Sequence, residues 1–474
     1  MTGLFFILTL IATSLIGYML VLLIGLKSLI ERLGMAGIVG ALLVSLTMMA
    51  SYQLASTFSL ASIVIALVIL TVIMISSSRV RRGLLQLPAD FSRLTHSTIR
   101  SINVAKTQGV TAASIFMIAI GGYILATTIS NLVWPISDWD AVALYDFRAL
   151  LIPSEHSWAS GIELGYFFHY PPFTSLLHGL SYLVGFPHAK IWYSYLFVSA
   201  LITFFGLLRR VTTNKHAILG VFLLVFSPLF AEHVTVAYTN LPYTIFFCFG
   251  TLYCLEWLKT NLASDLVLSL LLLAASTWVR QSEPFWIVPL ALIFVTFLWK
   301  KRWRSASYLA AGMCLFIGIH QFWPVYVTSL NLPPVVAGAT DQSASLALPE
   351  VSTSSILRNG FLVLDYIWKY LIQPQLFLLC LAVVVVIFDK SVIRKFQNKM
   401  IVGFLAFFFA MITAGTYYFS FTYQTWDLIG GSVMRMSMFT VPLLVYLVTQ
   451  TVFWQPIIGE KTHDHEAMQL PVTK

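Results

Sequence analysis

The sequence predicts an all-α polytopic membrane protein, a helical bundle of about thirteen transmembrane helices, and three observations carry that prediction. Hydrophobic residues make up 58% of the 474 positions and charged residues 10%, with a mean hydropathy of +0.85, outside the range of chains that fold in water. Apolar runs long enough to cross a hydrocarbon core of roughly 30 Å recur along the whole chain. Basic residues are sorted into alternate connecting segments, as expected of a chain that crosses a bilayer repeatedly.

The first run, "MTGLFFILTLIATSLIGYMLVLLIGL", has no basic leader and no small-residue cleavage site, so it reads as a retained helix over 3–25 and not as a cleaved signal. Runs at 34–52 and 58–77 follow. The segment 78–110 then carries six basic residues and one acid, which assigns it to the cytoplasm. Beyond it the pattern predicts spans at 111–133, 190–208, 216–232, 241–258, 263–280, 284–300, 305–325, 371–388, 400–419 and 432–453. Residues 1–110 thus form an N-terminal group of about three helices with a basic loop, 111–453 the main module, and 454–474 a cytoplasmic tail.

Alternation from that anchor places 22 of the 28 Lys and Arg residues inside and leaves Arg148, Lys190, Arg280, Arg358, Lys369 and Arg435 outside, with eleven of the nineteen acids. The N-terminus is then exoplasmic and the C-terminus cytoplasmic. The inside charges are topogenic and attract anionic lipid heads, so the net charge of +9 implies membrane lipids and no nucleic acid as partner. Cys248, Cys254, Cys314 and Cys380 all lie in apolar runs without metal-ligand spacing, which reads as core packing.

Most of the unusual residues fall on the exoplasmic side. Ionisable groups at membrane depth or at its edge are costly unless paired or solvated, so a one-sided cluster marks a candidate site. The stretch "SDWDAVALYDFRALLIP" at 137–153 reads as an interfacial helix beginning near Asp140, with Asp138 and Asp140 flanking Trp139 and Arg148 about two turns on; an amphipathic connector with its acids in water is the alternative. In "HYPP", Pro171 and Pro172 end one helix and open the next, holding His169 and Tyr170 extended at a helix entrance. That pair suits a phosphate or a sugar, or a membrane-surface aromatic belt. Arg280 and Glu283 end an apolar run three residues apart, as a substrate-binding pair or a simple salt bridge. Arg435, just inside the last span, offers a donor fork suited to phosphate oxygens, or it snorkels to the surface.

In order, "DWDA", "HYPP", "YTNLPY", the acid-bearing helix end "WVRQSEP" and "GGSVMRMSMFTVP" resemble the GT-C glycosyltransferases, specifically family-39-like bacterial enzymes related to protein mannosyltransferases and the lipid A aminoarabinose transferase. The likeness covers roughly residues 111–453, with spans one to three as an N-terminal addition. It implies a GT-C-like bundle with interfacial helices in the first long exoplasmic loop. The implied activity is inverting transfer of a sugar from a polyprenyl-phosphate donor to a glycan, lipid or protein acceptor, at the exoplasmic face of a bacterial plasma (inner) membrane. Asp140 matches the family's acid at the start of the first exoplasmic loop and is expected to be the general base, assisted by Asp138. Glu283 would orient Arg280 or the sugar. Tyr170 departs from relatives that place Lys there, which leaves the phosphate to Arg280, Arg435 or Arg148. The loop 326–370 is the expected cover over the donor. A divalent ion held by Asp138 and Asp140 with His156, His169 or His178 is possible in principle but has no tight ligand spacing. A secondary transporter or flippase, or an inactive scaffold, is the competing class; a transporter would show repeated halves and ionisable residues near span centres.

Overall fold

A computed structural model describes residues 2–108, 111–158, 161, 170–280, 287–330, 353–422, 427 and 430–458. Two N-terminal helices, α1 (Thr2–Ile24) and α2 (Leu29–Ala55), pack antiparallel through small residues. A methyl group at Gly17 would collide with the backbone of Ala36 and Gly40, and one at Gly40 with the backbone of Thr13. Helices without a hydrophobic drive between them associate through such close approaches.

Helix α3 (Leu60–Ser76) turns by 92° into α4 (Ser78–Gln108). The segment read as a basic loop is therefore a 31-residue amphipathic helix set across α3. Val80, Leu84 and Leu87 pack beside Tyr18, Leu22 and Met74, and Arg32 of α2 holds Asp90 at 3.0 Å. The charges form one face and the apolar residues the other, the arrangement of a helix lying on a surface.

The remaining long elements are α5 (Ala112–Val133), α6 (Phe147–Glu155), α7 (Phe173–Leu183), α8 (Ile191–Leu208), α9 (Asn214–Val225), α10 (Asn240–Thr260), α11 (Ala263–Val279), α12 (Ile287–Trp299) and α13 (Trp303–Ser329). Further along the chain come α14 (Thr353–Ile367), α15 (Leu376–Phe388), α16 (Phe396–Thr422), α17 (Gly430–Ser437) and α18 (Val441–Thr449). Among the described residues there is no strand, and the regular structure is all helical. Nine of its described helical stretches are long and apolar enough to cross a membrane, or ten if α3 and α4 count as one bent span. The expected runs at 216–232 and 263–280 yield shorter helices of 12 and 17 residues. Pro228 explains the first: it opens a new helix at 228 and closes α9 before it. The run at 284–300 is described only from Ile287, as a 13-residue helix.

The expected loop cover at 326–370 also reads differently. Helix α13 continues to Ser329, and α14 joins α15 through Trp368–Gln375 into one apolar stretch over 356–388; residues 331–352 lie outside the described residues. Cys248 and Cys254 are buried as expected, while Cys314 and Cys380 are exposed on the helix exterior.

One apolar core runs through the N-terminal helices and the rest of the bundle. Gly34 and Gly37 of α2 lie so close to Ser199 and Thr203 of α8 that a side chain at either would collide. Below this contact Arg210 donates to both oxygens of Glu31, at 2.8 and 2.6 Å, and to both oxygens of Asp265 at 3.0 Å. Tyr253 adds a bond to Glu31 at 2.9 Å and Thr260 one to Asp265 at 3.1 Å. Arg210 was read from sequence as topogenic; here it ties α2, α10 and α11 together. The ion pairs Arg32–Asp90, Arg210–Glu31, Arg210–Asp265, His178–Asp146 and Arg435–Asp140 each join residues that the charge alternation assigned to one side.

Candidate functional site

Helix α5 ends at Val133, and the chain runs through Trp134–Ser137 before turning into a helix whose first bond runs from Val142 N to Asp138 O, at 2.9 Å. Residues Ala141–Asp146 form a π-helical turn continuous with α6. The wider turn changes which residues face inward: Ala141, Tyr145, Arg148, Ala149 and Ile152 are buried, and Val142 and Leu150 are exposed. Asp138, Trp139 and Asp140 remain at the rim.

Arg148, expected about two turns on and on a similar side to Asp140, does not share its exposed rim. Arg148 is fully buried, and its Nη1 donates to the Tyr170 carbonyl at 2.9 Å. It thereby fixes the chain just before Pro171 and Pro172, where α7 opens at Phe173. The Tyr170 ring stands edge-on to Tyr145 at 5.8 Å.

Asp140 instead meets Arg435 of α17, 295 positions away: Nη1 donates to Asp140 Oδ2 at 2.6 Å. The guanidinium is held from its own helix as well, through Nε to Gly431 O at 3.1 Å and Nη2 to Ser432 Oγ at 3.3 Å. Its carbon lies 4.9 Å from the centre of the Tyr238 ring, within cation–π range. Arg435 is 24% and Asp140 34% exposed, so the pair is ordered by four contacts yet open to a ligand. Burial, and then the Asp140 carboxylate, push the Tyr238 hydroxyl above its usual range.

Tyr238, Thr239 and Asn240 act together at the start of α10. Tyr238 supports Arg435, Thr239 Oγ1 lies 3.2 Å from the Tyr145 hydroxyl, and Asn240 Oδ1 accepts from Arg280 Nη1 at 3.2 Å. Arg280 and Arg148 both lie within electrostatic reach of Tyr145, whose hydroxyl is pushed up to about 12, mainly by burial. Arg280 is extended and follows the last helical residue, Val279. Glu283 and His169 lie outside the described residues. Asp138 lies within electrostatic reach of Lys190, His233 and Tyr238.

Two of the histidines considered for a divalent ion lie apart from each other. His178 sits on Asp146 at 3.1 Å, and His156 Nδ1 on the Phe58 carbonyl at 3.0 Å. Among the described residues no three His, Cys, Asp or Glu side chains converge. Tyr145, Tyr238, Thr239 and Asn240 received no role from the sequence, although "YTNLPY" was legible as a motif. Lys190, Asp146 and Tyr182 likewise received no role, and the contact of His178 with Asp146 was not foreseen, because this grouping depends on how α6, α7 and α8 pack.

Comparison with known proteins returns no matching family model, no matching curated protein and no matching solved structure.

Proposed function

We propose that this chain is an inverting glycosyltransferase that moves a sugar from a polyprenyl-phosphate donor to an acceptor hydroxyl at the exoplasmic surface of a bacterial plasma membrane. On this reading the GT-C-like bundle has its N-terminus outside and its C-terminus in the cytoplasm. The contact between Asp140 and Arg435 carries the proposal: a rim carboxylate and a guanidinium from distant parts of the chain meet on the side that charge alternation assigns to the exterior.

The chemistry needs that pair. As the acceptor oxygen bonds to the anomeric carbon, its proton passes to the Asp140 carboxylate. The bond from that carbon to the phosphate oxygen breaks, and its electron pair leaves with the lipid phosphate. Arg435, and Arg280 beside Asn240, stabilise the charge that builds there. Without donor, Arg435 rests on Asp140; a phosphate competes for the guanidinium and frees the carboxylate to act as base. Asp138 assists electrostatically, His169, Tyr170 and Glu283 line the sugar, and Arg148 positions the Tyr170 segment.

The test is release of lipid phosphate by purified protein in nanodiscs offered a panel of polyprenyl-phosphate sugars, wild type against Asp140→Asn. The amide keeps an oxygen for Arg435 but cannot take the proton, so turnover should fall by about 10²- to 10⁴-fold. Equal turnover would refute the base assignment. Failure of every donor to bind would remove the transferase reading in favour of transport.

A further inference from the structure

A polar cavity of about 250 Å³ lies between the end of α5 and the start of α8. Its walls include Trp134, Ile136, Asp146, Tyr182, His188 and Lys190. Two of these carry unused hydrogen-bonding capacity. Lys190 is 7% exposed and, among the described residues, makes neither a hydrogen bond nor an ion pair. Asp146 receives Tyr182 at 2.6 Å and His178 at 3.1 Å, both on Oδ1, which leaves Oδ2 without a partner among the described residues.

Neither atom is sealed from solvent, so each can exchange water for a ligand that both donates and accepts. The chemistry of that ligand is narrow. The carboxylate in the wall repels a phosphate dianion, and the ammonium repels a simple cation. Trp134, 66% exposed, adds an apolar platform. A neutral sugar ring has hydroxyls that both donate and accept and an apolar face for the indole. The volume lies below the range that houses drug-sized ligands, so it suits one ring and not a chain. Lys190 also lies within electrostatic reach of Asp138, which places the cavity beside the proposed catalytic turn.

We infer that the Trp134–Asp146–Lys190 cavity binds one neutral pyranose, the sugar of the acceptor, next to the Asp138–Asp140 turn. Its role as an acceptor subsite rests on the transferase reading; its capacity to bind a sugar does not.

The experiment uses the full chain in nanodiscs freed of glycoside detergent, which would itself occupy the cavity. Saturation-transfer NMR with methyl glucoside, mannoside and galactoside at millimolar concentration reads binding directly. At least one glycoside should bind, and Asp146→Asn or Lys190→Gln should weaken it about tenfold or more, the cost of losing one charged hydrogen bond. Trp134→Ala, which alters an exposed side chain and spares the core, should weaken it too, while Arg435→Gln should retain binding and lose donor turnover. The inference is overturned if no glycoside binds, if the three cavity variants bind like wild type, or if inorganic phosphate displaces the sugar. Glycoside binding without turnover of any donor would uphold the sugar site and remove the transferase reading alone.

Discussion

Replacing Arg210 by Met tests whether the N-terminal helices are built into the bundle or merely attached to it. Glu31 is 1% and Asp265 0% exposed, and Arg210 supplies the only cation that pairs with either among the described residues. Without it Glu31 keeps one neutral bond from Tyr253 and Asp265 one from Thr260. Removing one partner of a buried pair costs about 3–5 kcal/mol, because the remaining charge stays buried. Two carboxylates are orphaned here, so the upper half of that range applies, about 4–5 kcal/mol. The assay is reversible unfolding in mixed micelles of increasing denaturing detergent, followed by tryptophan fluorescence. The triple variant Arg210→Met, Glu31→Gln, Asp265→Asn should recover more than half of the loss, since the amides retain the bonds from Tyr253 and Thr260 without the charge. A loss below about 1 kcal/mol, the size typical of exposed pairs, would refute the reasoning and leave α2 held by apolar packing alone.

Two further predictions concern packing and pH. Gly40→Leu should abolish the α1–α2 contact and strongly reduce the yield of folded protein, whereas Gly121→Ala, which meets nothing within 4 Å, should be neutral or stabilise by up to about 1 kcal/mol; thermal unfolding of the two variants checks this. Burial lowers the Lys190 ammonium below the ordinary lysine range, partly offset by Asp138. Among the groups facing it, Asp138, Asp146, His188 and Tyr182, the Tyr182 hydroxyl is pushed up by burial and by Asp146 and keeps its proton. Glycoside affinity should therefore fall as pH rises through the lowered lysine value, reaching half before about 10.4. The contribution to stability has the opposite sign. Between the native and unfolded values the unfolded chain binds more protons, so stability from this group increases with pH there. Titration by NMR and by unfolding separates the two; parallel trends would contradict the assignment to Lys190.

Much of the helical layout was legible because apolar length is a local property. The helix cores at 2–24, 29–55, 112–133, 191–208 and 240–260 follow directly from uninterrupted runs. Asp140 and Arg435 stood out for a similar reason: each is an ionisable group in an apolar context, conspicuous without any partner in view. Amphipathic α4 was missed because its charges suggested a loop, and helix α14 because its flanking segment is polar. That Arg148 is buried against the Tyr170 carbonyl depends on how α6 packs on α7 and its entry, which is not written in either segment alone.

By itself, then, the sequence determined that this is a helical chain with many membrane-spanning segments, since transfer into lipid acts on each segment separately and is read off composition. Only the tertiary structure decided which charges meet. That Arg435 reaches Asp140 across 295 positions, that Arg210 bridges Glu31 and Asp265, and that Lys190 and Asp146 share a cavity all depend on how helices pack. Packing is set by close backbone approaches such as Gly40 against Thr13 and by side-chain shape, which are pairwise properties of distant segments and leave no pattern in either segment alone.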